Sequence, residues 1–260
     1  MGDIICIASL KGGVGKTTTA VNLSASFARA GKKTLLIDCD PQGSATTGLG
    51  VKKKKLENTL YDAMAGKVPV KDIILDSYPE HLKVIPVRGE FFRVELELMS
   101  KPGKERVLRN IIQPLKTDFD YIILDTPPSL GLISINAMTA ADTLLIPLQC
   151  EFLAYESFVQ LMRFVRLVKK KLNPDLKLSG ILLTMYDMGE KVSRDIVQNV
   201  QRRLKTHVFE TIIPRSVQLR EASSIGKPLL LLDAESVGAQ SYLNLSEEIM
   251  KRGPANSASK

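Results

Sequence analysis

Residues 10–18 read Leu-Lys-Gly-Gly-Val-Gly-Lys-Thr-Thr and follow directly on an apolar run, Ile4 to Ala8. A glycine-rich turn between a strand and a helix lets the backbone curl until several N–H groups point inward, and the helix adds the positive end of its dipole. That is a cradle for phosphate. Gly12, Gly13, Val14 and Gly15 supply its backbone, with Thr17 and Thr18 in the turn that follows. Lys16 is placed to reach the β- and γ-phosphates of a nucleoside triphosphate, and the Thr17 hydroxyl to ligate Mg²⁺. Two acidic segments accompany the loop. Asp38-Cys39-Asp40-Pro41-Gln42-Gly43 closes a second apolar run, and Tyr121 to Leu124 ends in Asp125-Thr126-Pro127-Pro128. The carboxyl ends of strands border the ligand crevice of an open parallel sheet, so a carboxylate there can face the nucleotide. Asp125 is expected to hold Mg²⁺ through water, because that ion keeps part of its hydration shell.

These residues need a parallel sheet to bring them together. Apolar, β-rich runs at 4–8, 34–39, 82–87, 121–125, 143–148, 178–185 and 211–213 alternate with helix-length amphipathic stretches. The stretches lie near 16–30, 90–99, 104–115, 130–140, 152–172, 191–205 and 237–251. Most runs are apolar throughout, as expected of strands covered on both faces. In the longest stretch Leu153, Phe158, Leu161, Met162, Val165 and Val168 recur at helical spacing and are expected in the core. The pattern predicts an α/β fold: one P-loop NTPase domain over 1–252, a mostly parallel twisted β-sheet with helices on both faces. The tail 253–260 is expected to be disordered. The run Lys52 to Lys55 is expected to be a mobile surface loop.

Composition narrows the classes further. With 44 % hydrophobic and 25 % charged residues in 260, the chain is neither disordered nor fibrous. The longest uncharged run, 126–141, holds Pro127, Pro128 and Gly131 and is too short to span a bilayer. Cys6, Cys39 and Cys150 have no metal-ligand spacing and read as reduced thiols of a cytosolic protein. No cationic segment and apolar leader precede the first strand, so no secretion is expected. Net charge is +8, and it is concentrated. Residues 191–220 carry seven basic side chains against Asp195 and Glu210. That excess suits either a polyanionic partner or a solvated helix face.

The ordinary P-loop has glycine where this chain has Leu10, and lacks the additional Lys11. Lys-Gly-Gly-Val-Gly-Lys-Thr-Thr resembles the deviant Walker A loop of the ParA/MinD branch of P-loop ATPases, and the strand ending in Asp125 resembles Walker B. Segments 40–50, 124–131, 147–157, 180–187 and 213–228 look like the chromosomal ParA/Soj group, so the resemblance covers about residues 3–250. It implies that Lys11 reaches across a dimer to the partner's phosphates, as an arginine finger does. It implies that Asp40 orients or activates the attacking water near the metal, and that Asp38 is structural or meets Mg²⁺ through water. By the same resemblance Glu151 sits near the nucleotide of the dimer and Pro214 packs on or near adenine.

Family members nearby carry features that this chain does not match. MinD ends in a basic amphipathic membrane helix, whereas residues 251–257 here make no apolar face. Only ten residues precede Lys11, which predicts no helix-turn-helix domain and no promoter-specific repression. The implied function is therefore partition of chromosome or plasmid DNA by a cytoplasmic, ATP-driven homodimer. That dimer would bind double-stranded DNA without sequence preference, associate with the nucleoid, and be released when a ParB-like protein stimulates hydrolysis. The alternatives are a related ATPase positioning a protein cargo, and a metabolic P-loop enzyme of the dethiobiotin synthetase type. The chromosomal group carries arginine where this chain has Gly189 and Gln218. Lys191, Arg194, Arg215 and Arg220 stand close by and are the candidate DNA contacts.

Overall fold

The computed structural model describes residues 1–89, 95, 97–151, 154–204 and 207–253. The expected strands appear as β1 (Asp3–Ile7), β2 (Thr34–Asp38), β4 (Leu82–Ile85), β5 (Tyr121–Asp125), β6 (Thr143–Gln149), β7 (Lys177–Tyr186) and β8 (Val208–Pro214). A two-residue strand, β3 (Leu75–Asp76), is added at the edge and pairs antiparallel with β4. The sheet order is β3-β4-β2-β5-β1-β6-β7-β8, with every other pairing parallel.

Alternate residues of β1 enter opposite cores, which is why the strand is apolar throughout. Ile5 and Ile7 pack with α1 (Lys16–Arg29), α8 (Val217–Ile225) and α9 (Val237–Arg252). Ile4 and Cys6 pack on the face covered by α3 (Leu60–Ala65), α4 (Val107–Ile112), α5 (Leu132–Ala140), α6 (Ala154–Lys171) and α7 (Lys191–Leu204). In α6, Phe158, Leu161, Val165 and Val168 are buried as their spacing predicts, while Met162 is partly buried. All three cysteines are free and buried.

Several expectations change. The helix read over 104–115 breaks into a 3₁₀ turn, the six-residue α4 and a second 3₁₀ stretch that opens around Pro114, whose ring cannot continue an α-helix. Lys53–Lys55 form a 3₁₀ turn in place of the loop expected there. Three helices are not in the expected pattern: α2 (Ser44–Gly48), α3, which opens on a Thr59–Asp62 capping box, and α8, which starts on a Ser216 cap. Most of the helix read over 90–99, Leu153 and the tail from residue 254 lie outside the described residues.

At the end of the sheet away from the phosphate loop, Asp142 accepts from the Ile4 amide at 2.9 Å and pairs with Lys116 at 2.7 Å. Asp3 lies against this pair, and burial, with the Asp142 charge adding, pushes its carboxyl up to about 6. The folded state therefore binds a proton that the unfolded state has released between about pH 4 and 6, and Asp3 lowers stability as pH rises through that window. Asp3→Asn is expected to stabilise the protein by about 1–2 kcal/mol at pH 8 and by almost nothing near pH 3.5. Urea unfolding at the two pH values checks this, and equal effects at both would overturn it.

Candidate nucleotide site

The phosphate loop leaves β1 and turns through Gly13 and Gly15 at φ +76° and +90°, a backbone region open to glycine and costly to other residues. A Cβ on Gly13 would meet nothing within 4 Å, so dihedral freedom is the requirement there. Helix α1 begins at Lys16 with no side-chain cap and no acid in its first turn, leaving its amides free for an anion. Thr184 braces the loop from β7 by donating to the Val14 carbonyl at 2.9 Å.

Lys16 is 6 % exposed, and its ammonium lies 3.4 Å from the Lys11 carbonyl. Burial lowers its pKa, while the charges of Asp125 and Asp40 act the other way. Asp125 is fully buried and neither carboxylate oxygen has a hydrogen-bond partner; the Thr17 hydroxyl approaches it without completing a bond. Burial, followed by the Asp38 charge, pushes the Asp125 carboxyl well above the usual range. Orphaned carboxylate oxygens beside a hydroxyl are the donor set a hard divalent cation takes, so the residues present fit Mg²⁺. Among the described residues no three acidic, histidine or cysteine side chains form a metal cage.

Asp38 is the opposite case. Its Oδ2 accepts from the Thr46 amide and from the Thr46 hydroxyl, both at 2.7 Å, and its Oδ1 accepts from the Asp40 amide at 3.1 Å. Burial raises it to about 6 against the opposing pull of those bonds. Of the two roles left open for Asp38, this geometry supports the structural one. Asp40 is 9 % exposed and curls over its own turn, its Oδ1 accepting from the Gln42 amide at 2.9 Å. Thr46, which the sequence reading did not single out, ties the turn to the sheet, since its hydroxyl also accepts from the Val87 amide at 3.0 Å.

Lys11 is half-buried, and its ammonium pairs with Glu151 of its own chain at 3.0 Å. Glu151 also accepts from Gln149 at 2.7 Å and lies 3.9 Å from Arg215. Beyond Thr18 a cavity of about 380 Å³ opens, lined by Met185, Pro214, Arg215 and Arg220 among others. Pro214 thus borders the cavity that opens beside Gly15 and Thr18 of the phosphate loop. The four cations read as DNA contacts are divided by the fold: Lys191 and Arg194 are exposed on α7, whereas Arg215 and Arg220 are exposed but line this cavity. Gly189 donates to Asp187 within a local turn, and Gln218, in the first turn of α8, donates to Asp233 fifteen residues further on.

A family model described as an AAA domain matches residues 2–178. The chain is 48 % identical over 252 residues to the chromosome partitioning protein ParA of Myxococcus xanthus (strain DK1622), covering 97 % of this chain and 89 % of that protein. It belongs to the ParA/Soj family. The sporulation initiation inhibitor protein Soj of Bacillus subtilis (strain 168) is 46 % identical over 253 residues, covering 97 % of this chain and all of Soj. Among solved structures, cobyrinic acid a,c-diamide synthase from Mycobacterium smegmatis with bound ADP and magnesium has a TM-score of 0.86 at 32 % identity, covering 97 % of this chain and 95 % of that one. This ParA/Soj-family protein is a P-loop ATPase, with ATP and Mg²⁺ as its ligands.

Thr46→Val keeps the side-chain shape and removes a hydroxyl from a buried carboxylate. It is expected to lower stability by about 2 kcal/mol, with Thr46→Ser restoring most of it. Denaturant midpoints of the two variants decide this, and a wild-type midpoint for Thr46→Val would contradict it.

Proposed function

We propose that this protein is a partitioning ATPase, a single catalytic domain over 1–252 that closes as a homodimer around two ATP molecules. In that state it binds double-stranded DNA without sequence preference and associates with the nucleoid. A ParB-like partner stimulates hydrolysis and releases it, and the cycle segregates chromosome or plasmid DNA. The observation that carries the reading is Lys11: a half-exposed cation at the mouth of the phosphate loop, held by an exposed ion pair that a closing partner can replace. The near full-length likeness to proteins named for chromosome partitioning supports the same conclusion.

In this reading the backbone of Gly12 to Thr18 and the Lys16 ammonium hold the phosphates of the same chain. Lys11 reaches the partner's phosphates and offsets charge that builds up in transfer. Thr17, Asp125 and Asp40 would hold Mg²⁺, which when bound would neutralise charge on the nucleotide phosphates. Asp40 takes the proton of the attacking water, or orients it, from a turn that Asp38 and Thr46 keep rigid. Glu151, once released by Lys11, lies near the nucleotide, and Pro214 packs on the base. No described helix is long and apolar enough to cross a membrane.

The absence of arginine at Gly189 and Gln218 favours a second reading, a ParA-like ATPase that positions a protein cargo. A metabolic role, as the name of the M. smegmatis neighbour suggests for that protein, requires a small-molecule co-substrate. ATP turnover by the protein alone would exclude it.

Asp40→Ala is expected to bind ATP as the wild type does and to hydrolyse it about 10²- to 10⁴-fold more slowly, so that dimer accumulates. Phosphate release tests this, and wild-type turnover would remove Asp40 from its role. For Lys11→Ala, the monomer should still bind ATP while dimerisation and hydrolysis are lost. Sedimentation with ATP checks that, and a variant that dimerises normally would show that Lys11 does not act in trans.

A further inference from the structure

The run Lys52 to Lys55 is a built feature. Lys53–Lys55 make one 3₁₀ turn, closed by the Lys55 amide on the Lys52 carbonyl at 2.9 Å. Arg88 fastens its far end by donating to the Leu56 carbonyl at 2.7 Å. At its near end the Lys53 ammonium donates to the Gln42 carbonyl, inside the turn that carries Asp40. The Lys53 stem crosses Gly43 so closely that a Cβ there would lie 2.8 Å from its Cε. Lys53 is thus turned inward. Lys52, Lys54 and Lys55 are exposed, and none forms an ion pair among the described residues.

The three outward lysines border a groove of about 640 Å³ whose other wall is the end of α8, with Ser224, Ile225 and Gly226. Gly226 abuts Gly50, where a Cβ would lie 3.1 Å from the Gly50 Cα, and exposed Lys227 is the next residue along the chain. A second groove of about 450 Å³ shares Thr47, Lys53 and Ser224 with the first and continues to Thr17 and Thr18 of the phosphate loop. Along the flanking segments only Glu57 and Glu221 oppose five lysines.

We propose that the Lys52–Lys55 turn and Lys227 form a phosphate-contacting surface for duplex DNA, separate from α7, with Lys53 fixing the turn in place. The inference rests on the DNA-binding reading above and gives it a second surface. Four ammonium groups on flexible stems suit the dense, regular charge of a duplex backbone, about one phosphate per 3.4 Å of axis on each strand. A turn already held at both ends loses little further freedom when DNA arrives, which a mobile lysine loop would have to lose on binding. A membrane surface fits less well, because Ile225 is the one exposed large apolar side chain at the groove, and stable interfacial binding needs an apolar face.

The test is the full chain carrying Lys52→Ala, Lys54→Ala and Lys55→Ala, with Lys53 unchanged, in ATP and Mg²⁺. Binding to a random-sequence duplex is measured over a salt series, together with ATPase activity without DNA. The expected result is wild-type basal turnover and roughly 10- to 100-fold weaker binding on every sequence. The slope of log affinity against log salt should be shallower by about 2–3 per protomer. The corresponding triple arginine variant should bind as the wild type does. Wild-type affinity and slope in the alanine variant would overturn the inference while leaving the DNA reading intact, and so would loss confined to binding of anionic phospholipid vesicles. A wild-type protein that binds no duplex removes the DNA reading itself, and this surface with it.

Discussion

Asp38 and Asp125 stand in register on neighbouring strands, both with zero exposure, and this pair of buried acids governs the whole nucleotide edge. Two carboxylates in one desolvated place cannot both be charged without compensation. The chain resolves the conflict differently for each. Asp38 is given three hydrogen bonds by Thr46 and the Asp40 amide, whereas Asp125 is given none and faces Lys16 and Thr17. The first arrangement makes a strut, and the second leaves two unbonded carboxylate oxygens that attract positive charge. A slip of one residue between β2 and β5 would send one acid to the opposite face of the sheet and abolish both. The apolar alternation of Leu36, Ile37, Ile123 and Leu124 around them is therefore what keeps the charged site in register.

The parts of this site that were legible in the sequence are those encoded locally. The phosphate loop and the strand-end acids each occupy a few consecutive residues whose types alone constrain the backbone, and the strands near them appeared within a few residues of their expected bounds. Contacts between distant segments left no such trace. Lys11 and Glu151 are 140 positions apart, and nothing in either neighbourhood shows that the lysine is docked on its own chain. Helix α8 did leave signals, with a Ser216 cap and Gly226 at φ +76° to end it. Its nine residues bury only Leu219 and Ala222, too few apolar positions to register as a period. The edge strand β3, two residues long, is below what alternation can reveal.

Glu151 ties together the elements that a partner closing in the proposed dimer would rearrange. It follows β6, receives Lys11 from the loop after β1, and lies near Arg215 at the end of β8. All three side chains are partly exposed, so each contact is individually weak, of order 1 kcal/mol or less. A cluster of that strength can hold one arrangement in the monomer and give way to another when a phosphate appears, because little free energy separates the two. The buried elements beneath do not have that freedom. Thr184, Thr46 and Asp38 are each bonded within a packed layer, and they keep the phosphate loop and the Asp40 turn in place while the surface residues exchange partners.

The division of the basic residues follows from the same geometry. Arg215 and Arg220 share a cavity with Pro214, so a nucleotide that fills it changes the surroundings of both side chains. Lys191 and Arg194 stand apart on α7, and the Lys52–Lys55 turn stands on the other side of α8. A polyanion that touched only the outer groups would bind equally well with and without nucleotide, because those groups make no contact with the nucleotide cavity. Linkage requires some group that feels both ligands. In this fold the candidates are Arg215 and Arg220 at the cavity, and Lys53, which joins the basic turn to the loop bearing Asp40. If the proposed DNA binding holds, nucleotide control over it would therefore pass through these residues or through closing of the proposed dimer, and the outer lysines would supply affinity without regulation.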